Sequence, residues 1–427
     1  MWLVNTADVY KTYVVDESIY NPDGFPRVLI SVHEEGVPQE RPFPGPLLRA
    51  SKGDTVHLTI KNQLEAATSI HCHGLHMHQN PWMDGVNGIT ECGVNPGSTF
   101  TYVFNLTQTG TYWYHSHTST QYGDGLLGPI IVDEPVGTPD HIQLDFGYTY
   151  DHVLMMQDWM HESAKDLEAY YKGPYGSFEN FKPRYPWPTV SILLNGHGTF
   201  DCLWDDCSWL SKNDSTKCEG EPQCIPIRPP FFGTCEEDAH PLDEFMCPPG
   251  KYVRIRLING AANLPFRFWI DRHQLTIVMR DGVETQYFAV DNVTVAVGQR
   301  IDVVVQCNQD PNFNYMIYVA IAPNLLPRGA NLRNISASAY LIYPNATAVI
   351  PPEVTPQTPF SNDIYFEYKQ LKPNIPVTSD PAVERIVILY NVAYTNKTGF
   401  PLEEWVLNNV SFIRPTMPLL PNYIQGF

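Results

Sequence analysis

Short runs of alternating apolar and polar residues set the limits on what this chain can fold into. Within residues 55–60 the apolar positions are Val56, Leu58 and Ile60, two apart and so on one face of an extended strand. Tyr102, Phe104 and Leu106 repeat the pattern, as do Val253, Ile255 and Leu257 set against Arg254 and Arg256. Glycine, proline and asparagine interrupt these runs, which predicts half-buried antiparallel strands in sandwiches or barrels. Helical periodicity is scarce, and one short helix is predicted over residues 161–172. The expected fold class is all-β.

The 427 residues are enough for two or three cores. A first domain is predicted over 1–135, closing with the strand at 129–132. A second is predicted over 136–343, interrupted by a cysteine-rich insertion at 202–247. The stretch 344–382 contains YPNATAVIPPEVTPQTPF, too rich in proline to be core, and is predicted to be a linker. Strands resume beyond it, as at 385–389, so 383–427 is expected to be the N-terminal part of a third domain.

Acidic residues outnumber basic ones 46 to 27, a net charge of −19 that argues against nucleic acid as a partner. No apolar run is long enough for a membrane-spanning helix. Cys202, Cys207, Cys218, Cys224, Cys235 and Cys247 crowd into one polar stretch, which reads as a local disulfide knot of open pairing. A zinc knuckle is disfavoured there because no C-x-x-C spacing occurs. Glycosylation sequons start at Asn105, Asn213, Asn292, Asn334, Asn345, Asn396 and Asn409. Together these features predict a secreted glycoprotein with disulfides. The N-terminal MWLVNTADVYKTYVV has neither the basic start nor the apolar stretch of a leader, which is therefore expected to lie outside this sequence.

Residues 69–85 read SIHCHGLHMHQNPWMDG. On a strand His71 and His73 project to one side and Cys72 to the other. The same geometry recurs in GTYWYHSHTSTQYGDGLLGPIIV, where His115 and His117 share a face. Two such strands in one domain could bring four imidazoles to one point, and imidazole suits copper and zinc. His76 and His78 follow Gly74, where the strand is expected to break, and are not expected to be ligands. His161, His197 and His273 are isolated, and structural roles are expected for them.

These two stretches resemble the N-terminal copper motifs of the multicopper oxidases, the family of laccases, ascorbate oxidases and fungal iron oxidases. The resemblance extends to FPGPLLRASKGDTVHLTIKNQL, LLNGHGTFDC, VRIRLINGAANLPFRFWIDRH and VLNNVSFIRPTMPLL. It implies tandem cupredoxin-like Greek-key β-sandwich domains, two complete and a third only partial, with copper between the first and third. It implies His71 as a ligand of type 2 copper and His73, His115 and His117 as ligands of the type 3 pair. Asp84 matches a catalytic carboxylate that supports proton delivery, while from the residues alone it reads equally as a turn residue before Gly85. In the family the type 1 cysteine lies near the C-terminus in H-C-H-x-x-x-H; here Met77 stands where the last histidine would be, so Cys72 is expected at a non-ligand position. Cys92 matches a cysteine that bridges to the C-terminal tail.

The implied reaction is one-electron oxidation of a phenolic or similar small-molecule donor, coupled to four-electron reduction of O2 to water, by a protein that is monomeric at full length. The family's cluster takes four further histidines from the third domain. After His273 this sequence has no histidine, and after Cys307 no cysteine. The chain is therefore expected to be partial and, as given, not to turn over. The alternative is a non-catalytic secreted copper-binding protein. The donor, whether phenol, ascorbate, ferrous iron or pigment precursor, is left open by the sequence.

Overall fold

In the computed structural model the described residues are 6–39, 41–172, 189–200, 202, 234–237, 239–322, 335–349, 372, 374, 390–395, 402–407 and 410–411. The N-terminal part contains eight strands. They are β1 (Asp8–Tyr20), β2 (Arg27–Glu34), β3 (Leu48–Ser51), β4 (Thr55–Asn62), β5 (His71–His73), β6 (Thr99–Asn105), β7 (Gly110–His115) and β8 (Leu127–Asp133). They form two four-stranded sheets, ordered β2-β1-β4-β6 and β3-β8-β7-β5. One continuous core fills the space between, with Tyr13, Val56, Leu58 and Ile60 from the first sheet meeting Tyr112, Tyr114 and Ile130 from the second. Strand β4 alternates strictly between half-buried and buried positions, as its sequence predicts. A one-residue slip would turn Val56, Leu58 and Ile60 outward, at about 1.5–3 kcal/mol for each side chain.

The next part opens with α1 (His141–Phe146), capped by the Asp140 carboxylate, which accepts from Ile142 and Gln143 N–H. There follow β9 (Tyr150–Trp159), α2 (Ala164–Lys172), β10 (Ser191–Leu194), β11 (Glu244–Met246), β12 (Tyr252–Asn259) and β13 (Phe266–Ile270). The remaining strands are β14 (Leu275–Arg280), β15 (Val283–Val290), β16 (Asn292–Val295), β17 (Arg300–Gln306), β18 (Phe313–Ile321), β19 (Ser336–Ile342) and β20 (Ala348–Val349). A sheet ordered β10-β9-β12-β17-β14-β15 packs on one ordered β11-β19-β18-β13-β16 around a second core. Beyond it β21 (Tyr390–Thr395), β22 (Leu402–Leu407) and β23 (Val410–Ser411) form a three-stranded antiparallel sheet. The chain is thus mostly β.

Several expectations need correction. The strands are not all antiparallel: β1 runs parallel to β4, β3 to β8, β9 to β12 and β11 to β19. Between β1 and β4 the chain crosses to the other sheet and back, so the two strands lie side by side in the same direction. Helix α2 begins three residues later than predicted, and α1 was not predicted at all. It is six residues long, too short for periodicity to stand out.

Strand β12 is buried on both faces, although its alternation suggests a wet side. Arg254 and Arg256 are almost fully covered. Their charges are met by carboxylates: Arg254 donates to Asp302 at 2.6 Å and to Asp140 at 2.6 Å, and Arg256 to Asp151 at 2.6 Å. Arg256 also donates to Thr111 Oγ1 of the N-terminal sandwich at 3.1 Å, so that sandwich helps cover the face.

The local disulfide knot is also corrected. Cys202 pairs with Cys235, but Cys247 pairs with Cys307, outside the cluster. Cys247 follows β11 and Cys307 follows β17, so this bond ties one sheet to the other. Cys207, Cys218 and Cys224 lie outside the described residues, as does the predicted strand at 385–389. Of the predicted linker, Ala348–Val349 pairs in parallel with Phe313 and Asn314. Among the described residues no helix is long and apolar enough to cross a membrane.

Candidate metal centre

Strand β5 is only three residues long and pairs with the end of β7, with His71 opposite His115, Cys72 opposite Tyr114 and His73 opposite Trp113. This register puts the histidines of both strands on one face of the sheet and Cys72 on the other. His117 follows β7 by two residues. Its backbone N–H donates to Ser69 Oγ at 3.2 Å, which folds the segment back toward the start of β5.

Four imidazoles meet there. Ring centroids lie 5.8 Å apart for His71 and His73, 5.3 Å for His71 and His115, and 5.5 Å for His71 and His117. His71, His73 and His115 each offer a ring nitrogen, all within 4.8 Å of one another.

Hydrogen bonds fix which nitrogen each ring turns inward. His71 Nδ1 bonds the backbone carbonyl of Asp84 at 2.7 Å, and His115 Nδ1 bonds that of Ser116 at 2.9 Å. Carbonyls only accept, so both Nδ1 atoms carry the proton and both Nε2 atoms present a lone pair. His73 is turned the other way: its Nδ1 lies 3.4 Å from His115 Nε2. The Asp84 loop can reach His71 because Gly85 has no side chain; a Cβ there would lie 1.9 Å from the Ile70 carbonyl oxygen. The Asp84 carboxylate lies 3.3 Å from His71 Nδ1 and is partly exposed.

Three of the rings, those of His73, His115 and His117, favour the neutral form. Burial pushes His115 down to about 3 and His73 down to about 4, the Arg300 guanidinium adding to the effect on His73. Burial also lowers His117. Neutral imidazoles that bring ring nitrogens to one point are a donor set that binds copper or zinc.

Three features of the surroundings were not singled out in the sequence. Trp113 stacks on His73 at 5.1 Å and lies 4.3 Å from His115. It sits two residues before His115, so strand alternation alone could have placed it on the same face. Tyr122 lies 5.2 Å from His115. From the second sandwich Gly298 comes against the His73 ring and Arg300 against Gly74, and no local pattern signals that.

The other candidates fall elsewhere. Cys72 is buried in the first core among Tyr13, Tyr102 and Tyr114, and burial pushes its thiol up, the opposite of what a ready thiolate ligand needs. Cys92 is exposed and free. His76 and His78 are exposed and lie beyond the end of β5. His273 is buried between the Asp271 carbonyl at 2.6 Å and the Tyr343 hydroxyl at 2.7 Å. His161 bonds Asp23 at 2.9 Å, and His197 stacks on His240 at 4.4 Å.

Known proteins share this pattern. Two multicopper oxidase family patterns match the chain, one over residues 28–137 and the other over 150–346. Laccase-1 of Thanatephorus cucumeris is 35% identical over 310 residues, 70% of this chain and 44% of that protein. The L-ascorbate oxidase of Cucumis sativus is 31% identical over 421 residues, 95% of this chain and 63% of that protein. The chain thus spans about half to two thirds of the length of these relatives. The crystal structure of the laccase from Botrytis aclada superposes with a TM-score of 0.70 at 28% identity, covering 99% of this chain and 68% of that one. The cupredoxin-like fold and the two matching regions lead to one conclusion: the chain belongs to the multicopper oxidase family.

Proposed function

We propose that His71, His73, His115 and His117 are copper ligands, His71 toward a type 2 ion and the other three toward a type 3 pair, in an oxidase that takes electrons from a small reducing donor and passes them to O2. The observation that carries this reading is the convergence of the four rings, with three ring nitrogens within 4.8 Å of one another. Family membership selects copper over zinc. Copper bound there would supply the one-electron redox steps and the reduction of O2.

The protein's own residues do the rest. The Asp84 and Ser116 carbonyls hold His71 and His115 in the tautomer that presents Nε2. Trp113 and Tyr122 shield the rings from water on one side. The Asp84 carboxylate, beside His71 and open to solvent, is placed to take up and release protons as oxygen is reduced. The laccase and L-ascorbate oxidase relatives favour a phenol or ascorbate among the donors the sequence leaves open. The two disulfides among the described residues and the sequons favour a secreted protein. We further propose that the sandwiches lie over 1–135 and 136–343, with a third domain beginning near 383.

Copper content of this chain, and oxygen uptake with a diphenol by a form that also carries the third-domain histidines and the type 1 site, test this reading. This chain by itself is expected to bind copper without turnover. Bound copper that is lost on His115→Ala, with donor-dependent oxygen uptake, supports it. Copper bound at the histidines with no oxygen uptake by that longer form would favour the non-catalytic copper-binding alternative. Absence of copper binding at the four histidines would overturn both.

A further inference from the structure

His73 meets the second sandwich with the edge of its ring. The turn between β16 and β17 brings Gly298 so close that a Cβ there would lie 3.0 Å from His73 Cε1 and 3.4 Å from Nε2. A side chain there would press on the ring, and the φ of +76° favours glycine as well. Trp113, from the first sandwich, covers one face of the same ring at 5.1 Å. The ring is therefore gripped on a face by one domain and on an edge by the other, with Nδ1 left toward His115.

Arg300, two residues on, fastens the same place. Its Nε donates to the Thr111 carbonyl at 3.1 Å and its Nη1 to the Gly298 carbonyl at 2.9 Å. The guanidinium lies 5.6 Å from the Tyr112 ring centroid. It comes so near Gly74 that a Cβ there would lie 2.3 Å from Nη2. The side chain is 5% exposed and its charge is met by Asp281 at 3.2 Å. One arginine thus packs against the residue after His73 and bonds both the strand that carries His115 and the turn beneath the His73 ring.

We propose that Gly298 and Arg300 are positioning residues that set the ring of His73 from across the domain boundary, so that the four-histidine centre takes its working shape only when the two sandwiches are docked. The proposal rests on the reading of these histidines as copper ligands. A histidine with one open edge would sample other rotamers, and supports that orient a ligand are typically worth about 10–100-fold in metal affinity.

The test uses the full chain and three variants, Arg300→Met, Arg300→Lys and Gly298→Ala. Nitrogen-15 histidine NMR of the copper-free protein reads the rings directly, and competition titration with copper(II) reads the affinity. In Arg300→Met the His73 resonances should shift or broaden while those of His71 and His117 stay in place, and copper affinity should fall about tenfold. Arg300→Lys should recover part of both, because an ammonium keeps one carbonyl contact. Gly298→Ala should displace the His73 ring. If the His73 resonances match the wild type in all three variants, or all four histidines move together, the proposal fails. If the wild type binds no copper but His73 alone responds to Arg300→Met, the copper reading fails and the positioning role stands.

Discussion

His71 is held by Asp84 through two different atoms: the main-chain carbonyl at 2.7 Å and the side-chain carboxylate at 3.3 Å, both against Nδ1. The carbonyl cannot be removed by mutation, so ring orientation survives changes to the side chain. In a form that also carries the third-domain histidines and the type 1 site, Asp84→Asn should therefore keep copper content while slowing oxygen reduction by about 100-fold, the range in which a lost proton donor acts. Oxygen-electrode rates beside copper analysis check this, and parallel loss of both would assign Asp84 to ligand support instead.

The histidine cluster makes the copper-free protein sensitive to acid. His115 and His73 are pushed down to about 3 and about 4 by burial, and His117 is lowered too. Their unfolded values lie near 6.5, so between there and about 4 the unfolded chain binds more protons than the folded one. Stability is full above about 6.5 and is lost as the pH falls toward 4. His197 and His273, both lowered to about 4, act in the same direction. Thermal melts of copper-free protein should drop by about 5–10 °C from pH 7.5 to 4.5. A double His73→Asn, His115→Asn variant should show a shallower slope.

Cys72 lies between two candidate ligands in sequence but on the opposite side of the sheet. Cys72→Ala should leave copper content unchanged and cost roughly 1–2 kcal/mol through the small cavity left among Tyr13, Tyr102 and Tyr114. Urea unfolding and copper analysis on the same preparation separate the two effects. A drop in copper with intact stability would return Cys72 to the ligand set.

The Cys247–Cys307 bond closes a span of 60 residues between the two sheets of the second sandwich. A chain-entropy estimate gives roughly 4 kcal/mol for a loop of that size. Replacing both cysteines with serine should lower the urea midpoint for that sandwich, while copper binding at the histidines persists once the protein is folded.

What the sequence disclosed and what it hid divide along one physical line. Alternation within a strand is local, so the apolar face of β4 and the paired histidines of β5 and β7 could be read directly. Trp113 obeyed the same rule and was legible in principle. Burial of Arg254 and Arg256 was not, because the carboxylates that make it tolerable come from Asp140, Asp151 and Asp302, separated along the chain. The partner of Cys247 was hidden for the same reason. The contact of Gly298 and Arg300 with the His73 region exists only after two separately encoded sandwiches meet.

Arg256 reaches from β12 to Asp151 on its own sandwich and to Thr111 on the other. A buried guanidinium shared in this way makes the two modules poor candidates for independent exchange. A chimera that replaces the first sandwich with a foreign one would leave a buried Arg256 N–H without its acceptor at the joint unless Thr111 were kept. Recombination in this lineage should therefore favour crossovers outside the pair over crossovers between its members.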